Sequence, residues 1–490
     1  MVNNFVEKWG LFEASFEGPR NGNPYIDVNF EAIFKHEEIL IKVNGFYDGD
    51  GIYKVRFMPN ILGEWTFITE SNVSSLRGLS GSFVCVEPSK KNHGHVRVKD
   101  KFYFEYSDGT PYYPFGTTCY AWIHQQLELQ EKTLETLKRS PFNKLRMCVF
   151  PKHYDYNHNE PILYPFEGSL DKGFDFSKYN PEFFRHLEKR ILDLQEIGIE
   201  CDLILFHPYD RWGFSKMGVE NDDRYVKYIV SRLSSFRNIW WSMANEYDLM
   251  EFLKMKNHED WDRLAKIVQE NDLYGHLMSI HNWKKIYDFN KQWVTHCSIQ
   301  RIDVYKTSEN TDEWRRHFNK PIVIDECAYE GNIEHGWGNI TGEEMTRRVW
   351  EGVVRGGYVG HGETYMHPKD ILWWAHGGEL HGTSYHRIGF LKRIIEEVPG
   401  NIQPIENTTE INPYWDVAVG SVGEDYYIFY FGFNQPSFRT FNMPKDKEYY
   451  VDIIDTWNMT IKRLPGLYSG DFRIDLPGKQ YIAVRMIKAG

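Results

Sequence analysis

Residues 1 to 90 carry short β-rich runs (FEAIF, IKVNGFY, IYKVRF, EWTFIT) separated by turn clusters such as Asp48–Gly51 and Asn60–Glu64. Runs at this spacing, with no helical period between them, predict a β-sandwich. Glu87–His95 is polar and reads as a linker, and the stretch after it reads as a hairpin turning at Asp108-Gly109. From 91 to 400 the pattern becomes apolar runs alternating with amphipathic helical stretches, as in parallel α/β folds. The runs fall at 113–119, 144–150, 201–206, 238–244, 276–281, 295–300, 321–326 and 358–364. Helix ends are readable between them. Asn180 and Pro181 open a helix whose face carries Phe184, Leu187, Ile191 and Leu194 and which stops at Gly198. Thr341-Gly342-Glu343-Glu344 reads as a capping box opening a helix through Arg355, ended by Gly356-Gly357. Eight such units predict a (β/α)8 TIM barrel better than an open doubly wound sheet. Residues 401–490 lose the helical period, and runs such as DYYIFYFGF and YIAVRMI predict a second β-sandwich. The expected class is therefore α/β, a barrel flanked by N-terminal and C-terminal β-sandwich domains.

Composition narrows the function classes. The chain has 490 residues, too many for one core, with 41% hydrophobic and 26% charged residues, as in ordinary globular proteins. A formal charge of −12 argues against a nucleic-acid partner, which would need clustered Lys and Arg. No apolar run approaches membrane-spanning length, and the N-terminal MVNNFVEKWGLFEASF lacks a basic segment followed by an apolar one. Six cysteines are widely spaced with no CxxC, which predicts buried thiols in a reducing compartment, so a cytoplasmic location is expected. No GxGxxG or GxxxxGK[ST] follows a strand, which removes dinucleotide and nucleotide cofactors; no cofactor is expected. The sequence does not fix an oligomeric state.

The chemistry concentrates at two strand ends. NIWWSMANEYD (Asn238–Asp248) and PIVIDECAYEG (Pro321–Gly331) each begin as a buried run and reach a glutamate, Glu246 and Glu326. A carboxylate leaving such a strand sits at the rim where parallel α/β folds build their sites. Two of them are the minimum equipment for cleaving a glycosidic bond, and the other reading is two ordinary rim glutamates paired to lysine or arginine.

Asn245-Glu246 at one strand end and Glu326 at a later one resemble the large clan of retaining glycosidases with (β/α)8 barrels. Within that clan the chain resembles bacterial glycosidase-like proteins, with apiosidase-like enzymes among their kin. The resemblance implies Glu246 as acid/base at strand four, Glu326 as nucleophile at strand seven, and Asn245 as a partner of the sugar 2-hydroxyl. It implies Arg146 in KLRMCVF as the nucleophile's support, His207 in LILFHPYD as a hydroxyl contact, and Trp373 or Trp374 as the sugar platform. The clan's strand-six tyrosine or histidine has no clear counterpart; His296 and Gln300 of THCSIQ are the candidates.

Asp248, Asp325 and Glu363 read as hydrogen-bonded acids outside the chemistry, with Asp325 turned away from the site because it alternates with Glu326 along a strand. His93-Gly94-His95, HPYD, MHPKD (366–370) and AHGGELH supply histidines, but no set completes a ligand shell at strand ends and HExxH is absent, so no metal is expected. Tyr120, Trp122, Trp212, Tyr247, Trp283, Tyr329 and Trp337 are further rim aromatics able to stack on sugar. The leading expectation is a retaining, exo-acting glycosidase for oligosaccharides, with the N-terminal sandwich walling off one end of its site. The alternatives are a metal-dependent barrel hydrolase and a non-catalytic carbohydrate-binding protein.

Overall fold

The computed structural model describes residues 5–366, 372–405 and 414–490. Residues 367–370 of the MHPKD segment lie outside them. In the N-terminal part, a five-stranded sheet (strand order 5–7, 80–86, 63–71, 30–36, 39–44) faces a three-stranded one (12–17, 52–57, 46–47). Inward side chains of the two sheets interlock: Phe12 stacks on Phe83 at 4.2 Å and Phe34 on Phe57 at 4.3 Å.

Eight parallel strand positions follow: β1 (Gly116–Thr118), β2 (Lys144–Cys148), β3 (Glu200–Phe206), β4 (Ile239–Ala244), β5 (Met278–Ser279), β6 (Cys297–Gln300), β7 (Ile322–Glu326) and β8 (Tyr358–Val359). Strands β1 to β5 pair in sequence order as one sheet and β6 to β8 as another. Single parallel bridges join the two at both seams, His281 to Ser298 and Thr117 to His361, so the order is cyclic. Among the described residues, seven helices of eight residues or more alternate with the strands: α1 (Leu127–Arg139), α2 (Pro181–Glu196), α3 (Val219–Leu233), α4 (His258–Asn271), α5 (Thr311–Phe318), α6 (Gly342–Val354) and α7 (Ser384–Glu396). The β5–β6 connection holds none, one helix fewer than eight strand–helix units require. Asn180 Oδ1 caps α2 at the Glu182 N–H, and Thr341 Oγ1 caps α6 at the Glu344 N–H.

Alternation along the strands sorts the two faces. Leu145, Met147, Leu203, Met243, Ile322 and Ile324 pack outward in the core shared with the helices. The inward set is layered. At the N-terminal end, Phe104 of the 96–112 hairpin meets Trp240, Leu277, Val323 and Tyr358 and plugs that end with apolar side chains. Above the plug lies Lys144, with Nζ 2.5 Å from Asp202 and 2.8 Å from Asp325.

Asp325 therefore points inward, against expectation. The β6–β7 register skips a residue, pairing Ile299 with Ile324 but Gln300 with Glu326. A bulge there breaks strict alternation and lets Asp325 and Glu326 face the same side. The N-terminal part docks on α2 and α3 through buried ion pairs, Arg56 with Glu188 at 2.8 Å and Arg232 with Asp48 at 2.8 Å. The C-terminal six-stranded sheet (403–404, 418–422, 426–430, 482–488, 449–455, 460–463) packs on α6, with Trp350 stacked on Tyr430. All six cysteines are buried and unpaired. Among the described residues, no helix is long and apolar enough to cross a membrane.

Candidate active site

The chain reverses sharply where β4 ends. Glu246 holds φ 54° and ψ 56°, a left-handed conformation that costs a residue with a side chain roughly 1–2 kcal/mol. The short helix Tyr247–Phe252 starts immediately after, and the Tyr247 N–H donates to the His281 carbonyl. The strained turn leaves Asn245 and Glu246 at the C-terminal mouth of the strand ring. Glu326 reaches the same mouth from β7. Both glutamates line one cavity of about 280 Å³.

Each carboxylate is held differently. Glu326 Oε1 accepts from Arg146 Nη1 at 3.1 Å and from the Tyr120 hydroxyl. The same Arg146 nitrogen also donates to Asn245 Oδ1 at 3.0 Å. The Tyr120 hydroxyl, two residues past β1, lies 3.0 Å from that oxygen too, while its one proton goes to Glu326. Asn245 Oδ1 is thus occupied, and its Nδ2 is the group it can offer a ligand. Among the described residues no Lys, Arg or His nitrogen lies within 4.0 Å of Glu246; its Oε2 accepts from the Tyr209 hydroxyl at 2.6 Å. Burial foremost, then the Glu326 charge, push the Glu246 carboxyl up to about 7, while Lys152 and Tyr209 pull the other way. A carboxyl titrating there can both give and take a proton near neutrality.

Aromatic rings form the cavity wall. Trp374, Trp337, Tyr329, Tyr154 and Tyr156 crowd one side, with Trp374 and Trp337 centroids 5.0 Å apart. Trp283, Gln300 and Ile302 line the other. Gln300 Oε1 is buried without a partner, an acceptor open to a ligand.

Other candidates fall elsewhere. His207 is fully buried beneath the mouth, its Nε2 3.2 Å from the Phe150 carbonyl, and burial pulls it down to about 3, so it is neutral and out of the cavity. His296 lies lower still, between Trp240 and Phe104 in the plug. Trp373 is buried with Nε1 donating to Thr117, whereas Trp374, one residue on, faces the cavity. Trp122, Trp212 and Tyr247 pack in the core and do not line the cavity. Asp248 caps three backbone N–H groups, those of Trp283, Lys284 and Lys285. His93 pairs with Asp108 at 2.7 Å, away from the mouth. No described residue of the N-terminal sheets lines the cavity, so the wall expected from that part is not seen among them.

Tyr120 was among the rim aromatics; Lys152, Tyr154, Tyr156, Tyr209 and His281 carried no sequence signal. His281 Nε2 lies 3.8 Å from Glu326 Oε1. Only one set of described residues brings three metal-type ligand atoms together, Glu330, His361 and Glu363, within 4.8 Å of one another. Its carboxylates already accept backbone N–H donors: Thr383 and Ser384 donate to Glu330, His381 and Gly382 to Glu363. None of the three lines the cavity. They latch the 381–384 loop.

The sequence profile of the apiosidase-like catalytic domain matches residues 98–429. The chain belongs to this family. Profiles of two domains of unknown function, DUF5060 and DUF5605, match residues 5–72 and 415–487 on either side. Among solved structures, a candidate glycoside hydrolase from Bacteroides vulgatus ATCC 8482 is similar along its whole length. It shares 40% identity at a TM-score of 0.93, covering 99% of this chain and 100% of that one. A family 5 glycoside hydrolase from the same organism shares 16% identity at a TM-score of 0.62 over 81% of this chain and 94% of that one, a likeness of fold. Among curated proteins, none matches the chain.

Proposed function

We propose that the chain is a retaining, exo-acting O-glycoside hydrolase whose strand ring is a (β/α)8 barrel flanked by two β-sandwiches. The observation that carries this is the pair Glu246 and Glu326 in one aromatic cavity with contrasting tethers. In the first step the Glu326 carboxylate attacks the anomeric carbon. Glu246 gives its proton to the departing oxygen as the glycosidic bond breaks. Tyr209 occupies Glu246 Oε2, which leaves Oε1 for that transfer. In the second step Glu246, now a carboxylate, takes a proton from water as the water oxygen displaces Glu326 and frees the sugar. Asn245 Nδ2 serves the sugar 2-hydroxyl. Gln300 contacts the sugar, Arg146 acts through Glu326 and Asn245, and Trp374 is the stacking platform. His207, His296 and Trp373 drop out of the substrate contacts because they are buried away from the cavity.

Exo-action is supported by size: about 280 Å³ falls at or below the low end of small-ligand sites, roughly 300–1,000 Å³. Such a pocket suits a chain end better than a row of subsites. Membership in the apiosidase-like family and the Bacteroides neighbour support a glycosidic substrate.

The test is a panel of aryl glycosides: β-D-galactoside, β-D-glucoside, β-D-xyloside, α-L-arabinofuranoside and apioside. At least one should be hydrolysed, and Glu326→Ala should lose about 10^4-fold or more of that rate, the scale of losing a nucleophile. Wild-type turnover by the variant would remove Glu326 from the mechanism.

A further inference from the structure

Lys152 is a cation that the mechanism above leaves unused. It lies four residues beyond β2, 2% exposed, and it does not line the cavity. Among the described residues no carboxylate lies within 4.0 Å of its Nζ. Aromatic faces surround it instead. Nζ sits 3.4 Å from the Tyr120 ring centroid, 4.4 Å from Tyr209, 4.8 Å from Tyr154 and 5.3 Å from Trp374. The two nearest rings belong to the two tyrosines whose hydroxyls hold Glu326 and Glu246.

That placement has a physical consequence. A cation on a phenol face draws electron density from the ring, and the attraction is strongest where water is excluded. The hydroxyl becomes a better donor to the carboxylate it holds. One ammonium under both rings thereby acts on both carboxylates without occupying a lone pair of either.

We propose that Lys152 is a positioning residue of this site, a caged ammonium that acts through Tyr120 and Tyr209 on the hydrogen bonds orienting Glu326 and Glu246. The proposal rests on the glycosidase reading of those two glutamates. Burial pulls the Lys152 ammonium below its ordinary value, while Cys148, Glu246 and Glu326 favour its charge and Arg146 opposes it. His207 and His281, which also feel Lys152, are held neutral, foremost by burial, and add no competing cation. A lysine that served only as filler would be replaceable by any side chain of its length.

The experiment compares wild type, Lys152→Met and Lys152→Arg on the best 4-nitrophenyl glycoside of the panel, with circular dichroism and thermal melting to confirm folding. Lys152→Met keeps the stem and loses the charge. Its kcat should fall about tenfold or more with KM little changed. The basic limb of its kcat/KM profile should move up by about one pH unit, because a nearby positive charge that favoured ionised Glu246 is gone. Lys152→Arg keeps a cation on the rings and should restore the limb and most of kcat. Should Lys152→Met not fold, Lys152→Gln carries the same test. A folded neutral variant with the wild-type limb, or a rate loss that arginine does not restore, overturns the role of Lys152 while leaving the glutamates in place. If no glycoside is turned over, or Glu326→Ala is as active as wild type, the glycosidase reading fails and Lys152 loses its role with it.

Discussion

Tyr209→Phe removes a single hydrogen-bond donor, the hydroxyl 2.6 Å from Glu246 Oε2, and leaves the ring in place. The phenol is held far above its ordinary titration range by burial and by Glu246, so in the wild type it donates at every working pH. Its bond favours ionised Glu246. A hydrogen bond to a charged group contributes about 1.5–3 kcal/mol, and one pKa unit corresponds to about 1.36 kcal/mol. The protonated acid keeps a weaker form of the same bond, so the lower end applies, and the loss is worth roughly one unit. Glu246 should then hold its proton to higher pH, moving from about 7 to roughly one unit above it. The assay is kcat/KM for a 4-nitrophenyl glycoside between about pH 5 and pH 9.5, since this ratio reports the free enzyme. The basic limb should shift upward by about one unit, with a rate loss at the optimum of about tenfold or less, as for one hydrogen bond. A limb that stays put or moves down in a folded variant would refute the assignment of that limb to Glu246 under the control of Tyr209.

Three further outcomes follow from the same geometry. Glu246→Ala should cripple substrates with poor leaving groups far more than activated dinitrophenyl glycosides, because only the former need the proton; equal losses would show that Glu246 is not the acid. Asp325→Asn should destabilise the fold by about 3 kcal/mol in urea unfolding, because it takes a charge from the buried Lys144 group; a neutral effect would mean that Asp202 alone satisfies Lys144. Dialysis against a chelator should leave activity unchanged, since no step of the mechanism uses a metal; loss restored by zinc would favour metal-dependent hydrolysis.

The elements were legible where burial is total. The runs ending at Cys148, Phe206, Ala244 and Glu326 are apolar or inward-pairing throughout, and their C-terminal polar residues mark the mouth. Arg146, Asn245, Glu246 and Glu326 do meet there, drawn from three strands. What the pattern did not carry was direction. A bulge is silent in sequence, so alternation alone puts Asp325 on the wrong face. His207 and Tyr209 differ by two positions just past a strand, where the backbone leaves its regular period; the tyrosine, not the histidine, reaches Glu246. Trp373 and Trp374 are neighbours in one short helical turn, about 100° apart around its axis, so one is core and the other is wall. Lys152, Tyr154 and Tyr156 come from an irregular loop, and Tyr120 from the end of the first strand, so only the fold brings them together. Neither strand-six candidate hydrogen-bonds Glu326; the tyrosine that does is Tyr120, two residues past β1.

The central claim is double displacement by Glu326 and Glu246, and the configuration of the first-formed sugar tests it most directly. Proton NMR should follow the anomeric signals during rapid hydrolysis of the best substrate, before mutarotation mixes the anomers. The account predicts that the first anomer seen has the same configuration as the substrate, because two inversions at one carbon restore it. Initial release of the opposite anomer would mean a single displacement by water, and it would contradict Glu326 as the nucleophile.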